Sequence, residues 1–366
     1  MKALVLGKGK SGTAAAALLK AQGCEVDFAD EYDCVVVSPG LRTKSELQLG
    51  CEELKRRGWK LLAVTGSKGK SSVVKLVADA INLAGRHAVP CGNYGVPVSE
   101  VVLEDGRREM EDGQERWAVV EVSSFQLETT TLPPDTFEAA AILNLQEDHL
   151  DRHGSVEVYH GLKRKLLTMT RRPIETGAGV PVLWKGSYFD NEILSENAAI
   201  AVELMRVAGL DDSKIAAAFK AFKPLPHRMN LVAEIAGVRY VDDSKATSLA
   251  ALIAGVKMTA SPVRLIAGGL PKGDDPKTAL SVLTERVRKV YLIGQSAEAF
   301  FVAWNGAVDC EICGTMDRAA EAAKREAEKG ETVLLSPGTA SFDQFQSFGE
   351  RGDVFARLVK EKGQPK

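Results

Sequence analysis

Short apolar runs alternate with longer alanine-rich or amphipathic segments along most of the chain. Apolar runs of strand length bounded by turn-forming residues are typical of buried strands, and longer segments with polar residues at helical spacing are typical of helices. Strands that alternate with helices predict parallel sheets, with ligand sites at the carboxyl ends of the strands. The pattern therefore predicts an α/β fold.

Three α/β blocks are predicted, covering residues 1–60, 61–222 and 223–366, with residues 223–226 as a linker between the last two. In the first block the predicted elements are strands 2–6, 24–29 and 35–37 and helices 12–22 and 45–57. In the second they are strands 61–64, 117–122 and 139–144 and helices 73–83, 156–169 and 197–208. In the third we expect strands near Arg239, Val263, Val290 and Thr332.

Composition narrows the class of protein. The chain has 366 residues, a formal net charge of -2 and 45% hydrophobic residues, which predicts two or three globular domains and gives no electrostatic reason for a nucleic-acid partner. Its apolar runs are too short to span a bilayer, and its N-terminus has no signal-peptide pattern. We therefore expect a cytoplasmic protein without a membrane partner.

The cysteines do not form a disulfide framework, because six are spread over a long chain. Cys310 and Cys313 make a lone Cys-x-x-Cys. A redox or zinc role stays open, but without a second pair the pattern favours two ordinary cysteines near the end of a strand.

A glycine-containing turn, residues 65–72, reads Thr-Gly-Ser-Lys-Gly-Lys-Ser-Ser between a predicted strand and a predicted helix. Glycines let backbone N–H groups surround a phosphate, and a helix N-terminus adds partial positive charge. Lys70 is placed to reach terminal phosphates, and Ser71 to bind Mg²⁺. Only two residues separate Gly66 from Gly69, so this is not the full Walker A spacing. A plain turn is the alternative, but the coincidence of features favours a phosphate loop.

Acidic residues and histidines follow two later strands. Glu121 lies inside an apolar strand near its end, where a carboxylate is costly unless it is paired or binds a metal. The next strand leads into residues 147–153, Glu-Asp-His-Leu-Asp-Arg-His. Each residue alone is compatible with a solvated loop charge. Together, after a phosphate loop, they predict a site for Mg²⁺ and phosphate.

The first block carries Gly-Lys-Gly-Lys-Ser-Gly at residues 7–12 after a strand, and Asp30 ends the next strand. This fits the dinucleotide fingerprint. Taken alone it suggests NAD, although a lone fingerprint is weak evidence.

With these motifs the chain resembles the Mur ligase family and the related folylpolyglutamate synthases. The strings Ser-Ser-Phe-Gln-Leu-Glu at 123–128 and Asp-His-Leu-Asp-Arg-His at 148–153 are similar to the family member that adds D-glutamate. The resemblance implies a monomeric ligase that uses ATP and two Mg²⁺ ions. Its implied reaction joins UDP-N-acetylmuramoyl-L-alanine to D-glutamate through an acyl phosphate, in peptidoglycan precursor synthesis.

The resemblance also implies roles for individual residues. ATP would be bound by Gly66, Ser67, Lys68, Gly69, Lys70, Ser71, Ser72, Asn197, Arg228 and Asp243. The UDP-linked substrate would be bound by Ser11, Gly12, Asp30, Asn93, Ser123, Ser124 and Gln126. D-Glutamate would be bound by Thr247, Lys272, Ser341 and Phe348. The metal ligands would be Ser71, Glu121, His149 and Lys163, and the catalytic residues Lys70, His149, Lys163 and Lys245.

Lys163 enters this set as a CO₂-derived carbamate. A free lysine is cationic near neutral pH and repels Mg²⁺, whereas a carbamate supplies an anionic oxygen ligand. From the sequence alone, a lysine beside Arg164 and Lys165 is most often a surface charge.

Three alternatives to the D-glutamate ligase stay open. One is a sister ligase that adds another amino acid. The second is an NAD-binding dehydrogenase or regulatory module built on the first block. The third is a non-catalytic ligase homologue, because the first block is shorter than the family pattern and Ser67-Lys68 replaces the usual Thr-Asn of the phosphate loop.

Overall fold

The computed structural model describes residues 2–29, 43–106, 114–146, 150–175, 187–189, 192–260 and 262–361. The chain divides into two compact units, Met1–Phe222 and Lys223–Lys366. The division falls where the third block was predicted to begin, and the first two predicted blocks lie in one unit. Both units are built from strands and helices in alternation, so the predicted α/β class is confirmed.

The elements of the first unit, in chain order, are β1 (Lys2–Leu6), α1 (Lys10–Ala21), β2 (Glu25–Ala29), α2 (Glu46–Arg56), β3 (Lys60–Thr65), α3 (Lys70–Leu83), β4 (His87–Gly92), α4 (Val98–Asp105), β5 (Arg116–Glu121), α5 (Ser124–Thr129), β6 (Ala139–Ile142), α6 (Leu150–His153), α7 (Val156–Lys165), a 3-10 turn (Leu166–Met169), β7 (Pro173–Ile174), α8 (Glu192–Val207) and α9 (Asp212–Ala221). Within the described residues, β1 pairs with β2, and a second parallel sheet has the order β4-β5-β3-β6-β7.

The first block packs onto the second through its helices. Leu18 of α1 and Leu47 and Leu54 of α2 are buried in the same apolar cluster as the central strands β3 and β5. Gly12 lets α1 begin close to β1, because an added Cβ there would lie 2.0 Å from the carbonyl oxygen of Gly7. This shared core explains why the first block and the central sheet form one compact unit.

Two strands of the central sheet, β4 and the two-residue β7, are absent from the sequence prediction. β4 contains Pro90, which weighs against a strand in the middle of a sheet because proline cannot donate a ladder hydrogen bond. β4 lies at the edge of the described sheet and pairs only with β5, where proline is tolerated. The predicted strand 35–37 lies outside the described residues.

The elements of the second unit are β8 (Asn230–Ile235), β9 (Val238–Asp242), α10 (Leu249–Met258), β10 (Val263–Gly268), a 3-10 turn (Pro276–Ala279), α11 (Leu280–Arg286), β11 (Val287–Ile293), α12 (Ala297–Trp304), β12 (Asp309–Gly314), α13 (Met316–Glu326), β13 (Thr332–Leu335) and α14 (Phe348–Lys360). The described strands form a sheet of order β12-β11-β10-β13-β9-β8, parallel except for β8. The strands predicted near Arg239, Val263, Val290 and Thr332 are confirmed.

Cys310 and Cys313 both lie on β12 as free thiols. Cys310 is buried in the apolar cluster on one side of the sheet and Cys313 in the cluster on the other. Burial raises the pKa of Cys310 to about 11 and that of Cys313 to about 12. The interpretation as two ordinary cysteines is confirmed, since thiols on opposite faces of a strand cannot share a zinc ion or a disulfide.

A buried ion pair joins three strands at the amino-terminal edge of the second sheet. Glu331 accepts hydrogen bonds from Arg264 Nε at 2.6 Å and from Arg288 Nη1 at 2.8 Å, and Arg264 also donates to the hydroxyl of Tyr291 at 2.9 Å. Burial favours the protonated form of Glu331, but these hydrogen bonds outweigh it and hold its pKa below the usual range. Arg264 is buried and Arg288 is half exposed.

Arg264→Met is expected to destabilise the second unit by about 3 kcal/mol, because it leaves the buried Glu331 carboxylate poorly compensated. Arg288→Met removes a bond to the same carboxylate from an exposed side chain and should cost less than about 1 kcal/mol. Urea denaturation followed by circular dichroism measures both. Equal losses in the two variants would contradict this account.

Candidate functional site

The phosphate loop lies between β3 and α3 and depends on its two glycines. Gly66 has φ 150° and Gly69 has φ 85°, conformations that side chains rarely adopt. An added Cβ at Gly69 would also lie 2.1 Å from the amide nitrogen of Asn197 on α8. The two predicted ATP-binding residues Gly69 and Asn197 are therefore packed directly against each other.

The chain that follows β6 holds the loop in place. The Leu143 N–H donates to the Thr65 carbonyl and the Ser67 N–H donates to the Asn144 carbonyl, both at 2.9 Å. The Lys68 N–H donates to the side-chain oxygen of Asn144 at 2.8 Å. The backbone N–H groups of Ser67 and Lys68 are thus used inside the protein. The first turn of α3 remains suited to a phosphate, because a helix N-terminus favours an anion.

Two lysines donate to one carbonyl oxygen of this loop. Lys70 Nζ lies 2.8 Å and Lys163 Nζ 2.9 Å from the oxygen of Gly66. Lys163 is only 1% exposed and its ammonium lies 4.5 Å from the centre of the Tyr159 ring. The interpretation of Lys163 as a surface charge is therefore wrong. Residue 163 faces inward on α7, while its neighbour Arg164 is exposed.

Glu121 ends β5, which pairs with β3, and is 2% exposed. Its Oε1 accepts a hydrogen bond from Asn93 Nδ2 at 2.9 Å, so these two predicted site residues meet. Among the described residues, no group donates a hydrogen bond to Glu121 Oε2. A buried carboxylate oxygen without a donor suits a cation.

The described residues contain no cluster of three or more His, Cys, Asp or Glu side chains able to hold a metal. The predicted metal ligand His149 lies outside them. Mg²⁺ is commonly held by one or two carboxylates together with phosphate oxygens and water. Glu121 therefore fits a magnesium site of that kind.

The predicted substrate residues after β5 form the N-terminus of α5. Ser123 and Gln126 make a capping box, in which each side chain bonds to the backbone N–H of the other. Ser124 is buried and its hydroxyl lies 3.0 Å from Nε2 of His153, whose Nδ1 lies 3.3 Å from Glu128. The sequence prediction gave His153 no role. Its place in the Asp-His-Leu-Asp-Arg-His string was the available signal.

In the first block, Ser11 is exposed and Gly12 half-buried on the first turn of α1. A diphosphate at a helix N-terminus would meet both residues. Asp30 lies outside the described residues, and so do Ser38, Pro39 and Gly40.

In the second unit, Asp243 follows β9 and is almost fully buried. Burial raises its pKa to about 7, although Ser336 Oγ donates a hydrogen bond to it at 2.9 Å. The neighbouring Asp242 instead accepts hydrogen bonds from the Ser244 N–H at 2.9 Å and pairs with His227 Nδ1 at 2.7 Å. The two adjacent aspartates thus differ in their environments. At Asp243 burial raises the pKa more than the Ser336 and Met229 hydrogen bonds and the charge of Arg228 lower it.

The residues predicted to bind D-glutamate are brought to one edge of the second sheet. Thr247, Lys272 and Ser341 lie on the loops after β9, β10 and β13, and these strands are neighbours. Ser341 is buried and Lys272 is exposed. Phe348 begins α14, and the ammonium of Lys245 lies 3.9 Å from the centre of its ring.

Arg351 was not predicted. It is fully buried on α14 and donates to the carbonyl oxygens of Ser244, Thr339 and Ala340. Burial lowers its pKa to about 10. Arg351 therefore links, by hydrogen bonds, two of the loops that carry residues predicted to bind D-glutamate. The following residue, Gly352, was the signal, because a glycine in a helical segment often marks close packing.

These features define a phosphate-loop protein of the α/β class: a strand, a glycine-containing turn with Lys70 and Ser71, and a buried carboxylate on the strand paired with the first. None of the helices in the described part of the chain is both long and apolar enough to cross a membrane.

Comparison with known proteins identifies the family to which the chain belongs. Residues 64–177 match the model of the Mur ligase middle domain, and residues 227–338 match that of the Mur ligase glutamate ligase domain. The chain belongs to the Mur ligase family.

Two curated relatives show the extent of the similarity. The chain is 32% identical to the UDP-N-acetylmuramoylalanine--D-glutamate ligase of Acidobacterium capsulatum over 460 aligned positions, covering 98% of this chain and 96% of the relative. It is also 32% identical to the ligase of the same name from Nitratidesulfovibrio vulgaris over 426 positions, with the same coverage. Both alignments are longer than the 366 residues of this chain, so each relative has segments that this chain lacks.

Among solved structures, the MurF ligase from Thermotoga maritima in complex with ADP matches with a TM-score of 0.63 at 17% identity. The match covers 98% of this chain and 93% of that one. At this identity the match shows a shared fold.

The pKa of Asp243 gives a testable pH dependence. Between about pH 4 and about pH 7 the folded protein keeps a proton on Asp243 that the unfolded chain loses, so this group makes the free energy of unfolding fall as the pH rises. Asp243→Asn should remove this contribution and gain stability relative to wild type as the pH rises from 4 to 7. Urea denaturation at several pH values tests it. A difference between the two proteins that does not vary with pH would contradict the assignment.

Proposed function

We propose that this chain is an ATP-dependent ligase that joins the alanine carboxyl group of UDP-N-acetylmuramoyl-L-alanine to the amino group of D-glutamate. The observation that carries the proposal is the phosphate loop with the donor-free carboxylate oxygen of Glu121 on the adjacent strand. The names of the full-length relatives supply the substrates.

The reaction has two steps. The substrate carboxylate attacks the γ-phosphorus of ATP, giving an acyl phosphate and ADP. The glutamate amine then attacks the acyl carbon, a C–N bond forms, the C–O bond to phosphate breaks, and phosphate leaves while the amine loses a proton. Phosphoryl transfer of this kind asks the protein mainly for positioning and charge neutralisation.

Lys70 is the residue of the loop best suited to that task. Its ammonium donates to the carbonyl oxygens of Gly66 and Ser67, at 2.8 and 3.2 Å, at the start of α3. Phosphate oxygens are stronger acceptors for an ammonium than neutral carbonyls. The proposal therefore assigns Lys70 to the terminal phosphates of ATP and the hydroxyl of Ser71 to the metal.

Magnesium would be held by Glu121, Ser71, His149 and the carbamate of Lys163, and when bound it would neutralise phosphate charge. The burial of Lys163 supports the carbamate, because an anionic group at this position would offset the charge of Lys70. A carbamate also keeps one N–H on Nζ, so the hydrogen bond to the Gly66 carbonyl is compatible with the modification.

The UDP-linked substrate is assigned to the first unit. Ser11 and Gly12 stand at the N-terminus of α1, which suits a diphosphate. Asn93 and Ser123 lie beside the end of β5, and Asn93 is bonded to Glu121. Ser124 and Gln126 belong to the same assignment, with Gln126 oriented by the capping box.

D-Glutamate is assigned to the edge of the second sheet that carries Thr247, Lys272 and Ser341, with Phe348 beside them. A cationic side chain and two hydroxyl groups suit the side-chain carboxylate. Arg228, Asp243 and Lys245 of the same unit are assigned to the phosphates, the ribose and the transferred phosphoryl group.

Amino-acid specificity tests the proposal as a whole. With ATP, Mg²⁺ and UDP-N-acetylmuramoyl-L-alanine, phosphate release should be fastest with D-glutamate. L-Alanine should be rejected strongly, because it has no carboxylate for Thr247, Lys272 and Ser341, and leaving the buried Ser341 hydroxyl unpaired costs about 1–3 kcal/mol. L-Glutamate, L-lysine and meso-diaminopimelate complete the panel. A faster rate with any of them would favour a sister ligase, and no release with any amino acid would favour a non-catalytic homologue.

Lys163→Ala should lower the rate of phosphate release about a hundredfold or more, because it removes the anionic group proposed for Mg²⁺. Arg164→Ala, an exposed neighbour on the same helix, is the matched control and should stay close to wild type. Carbon NMR in ¹³C-bicarbonate should show a carbamate signal that Lys163→Ala lacks. A fully active Lys163→Ala variant would refute the carbamate.

A further inference from the structure

Asn144 stands at the end of β6, beside the phosphate loop, and none of the assignments above uses its side chain. We propose that Asn144 is a positioning residue for ATP. Its side-chain amide fixes the backbone conformation of the phosphate loop and links the loop to Asn197. The inference deepens the proposed function and rests on it for the identity of the nucleotide.

The side-chain amide of Asn144 makes two hydrogen bonds to the backbone of one loop residue, Lys68, one as acceptor and one as donor. Its Oδ1 accepts from the Lys68 N–H at 2.8 Å, and its Nδ2 donates to the Lys68 carbonyl at 2.8 Å. Two opposed hydrogen bonds to the same residue fix both the position and the rotation of that segment, which a single bond does not do. Lys68 immediately precedes Gly69, so the orientation at Lys68 sets where α3 begins.

The same amide nitrogen reaches the second ATP-binding element. Asn144 Nδ2 also lies 3.3 Å from Asn197 Oδ1, and Asn197 is 5% exposed on α8. The amide nitrogen of Asn197 is packed against the Cα of Gly69, where no Cβ fits. The loop segment from Lys68 to Gly69 is thus held between two asparagine amides that are bonded to each other.

This arrangement has a consequence for phosphate binding. With the Lys68 backbone bonded to Asn144, the first turn of α3 is held in one orientation before the nucleotide binds. The loop therefore loses less conformational entropy on binding. Without the side chain, the loop keeps its backbone bonds, Ser67 N–H to the Asn144 carbonyl and Leu143 N–H to the Thr65 carbonyl. Loss of the amide should therefore increase the conformational freedom of the loop while these backbone hydrogen bonds remain, so the variant is expected to fold.

Asn82 provides a matched control within the same unit. Its Nδ2 donates to the Ala88 carbonyl at 2.8 Å, and its Oδ1 accepts from the Ala88 N–H at 2.9 Å. This is the same pair of bonds to a single residue, made at the far end of α3 from the phosphate loop. Asn82→Ala and Asn144→Ala therefore remove equivalent bonds, and only the second touches the loop.

The test measures binding of ATP with Mg²⁺ to the full chain by calorimetry, in the absence of the other substrates. Asn144→Ala should raise the Kd about tenfold, as expected for loss of a paired hydrogen bond at the site, and Asn82→Ala should stay within about twofold of wild type. In turnover, Asn144→Ala should raise KM for ATP about tenfold while KM for D-glutamate stays within about twofold. Thermal denaturation should show similar losses in both variants.

Asn144→Asp is a second variant of the same size. It keeps an acceptor for the Lys68 N–H but places a carboxylate oxygen against the carbonyl oxygens of Lys68 and Asn197, so ATP binding should be at least as weak as in Asn144→Ala. Wild-type affinity for ATP in either Asn144 variant, or an equal change in Asn82→Ala, would overturn the proposal. Because binding needs no amino acid or UDP-linked substrate, failure of the proposed ligation would leave this test intact.

Discussion

The parallel pairing of β3 with β5 and β6 is the constraint on which the first unit's site depends. Val64 pairs with Glu121 and Thr65 with Ile142, so three strands end at the same level. The phosphate loop, the buried carboxylate and the chain that holds the loop therefore meet at one edge. This follows the general behaviour of parallel sheets, in which the carboxyl ends of neighbouring strands present their loops together.

Groups that are costly to bury lie at this edge. Glu121 keeps one carboxylate oxygen without a donor among the described residues. Lys163 is buried, donates to a loop carbonyl and lies against an aromatic ring. The donor-free oxygen of Glu121 is not expected of a side chain kept only for stability, since buried charges are normally compensated. Such residues mark a functional site more reliably than exposed charges do.

The second unit uses buried charge differently in its two regions. Near its amino-terminal edge, Arg264 and Glu331 compensate each other and join strands. At its carboxyl edge, Arg351 donates hydrogen bonds to backbone carbonyl oxygens of the loops after β9 and β13. The first arrangement stabilises the sheet, and the second shapes the loops that carry Thr247 and Ser341. Burial raises the pKa of Asp243, on the loop after β9, to about 7.

The sequence by itself determined the α/β alternation, the phosphate loop and the candidate residues in its later motifs, because periodicity and local motifs are properties of neighbouring residues. Only the tertiary structure decided that Lys163 is buried, that Cys310 and Cys313 face opposite sides of a sheet, and that β4 can contain Pro90 because it lies at an edge. The structure also revealed Asn144 and Arg351, whose partners are distant in sequence. Their roles come from hydrogen bonds across strands and loops, and such contacts exist only once the sheets have formed.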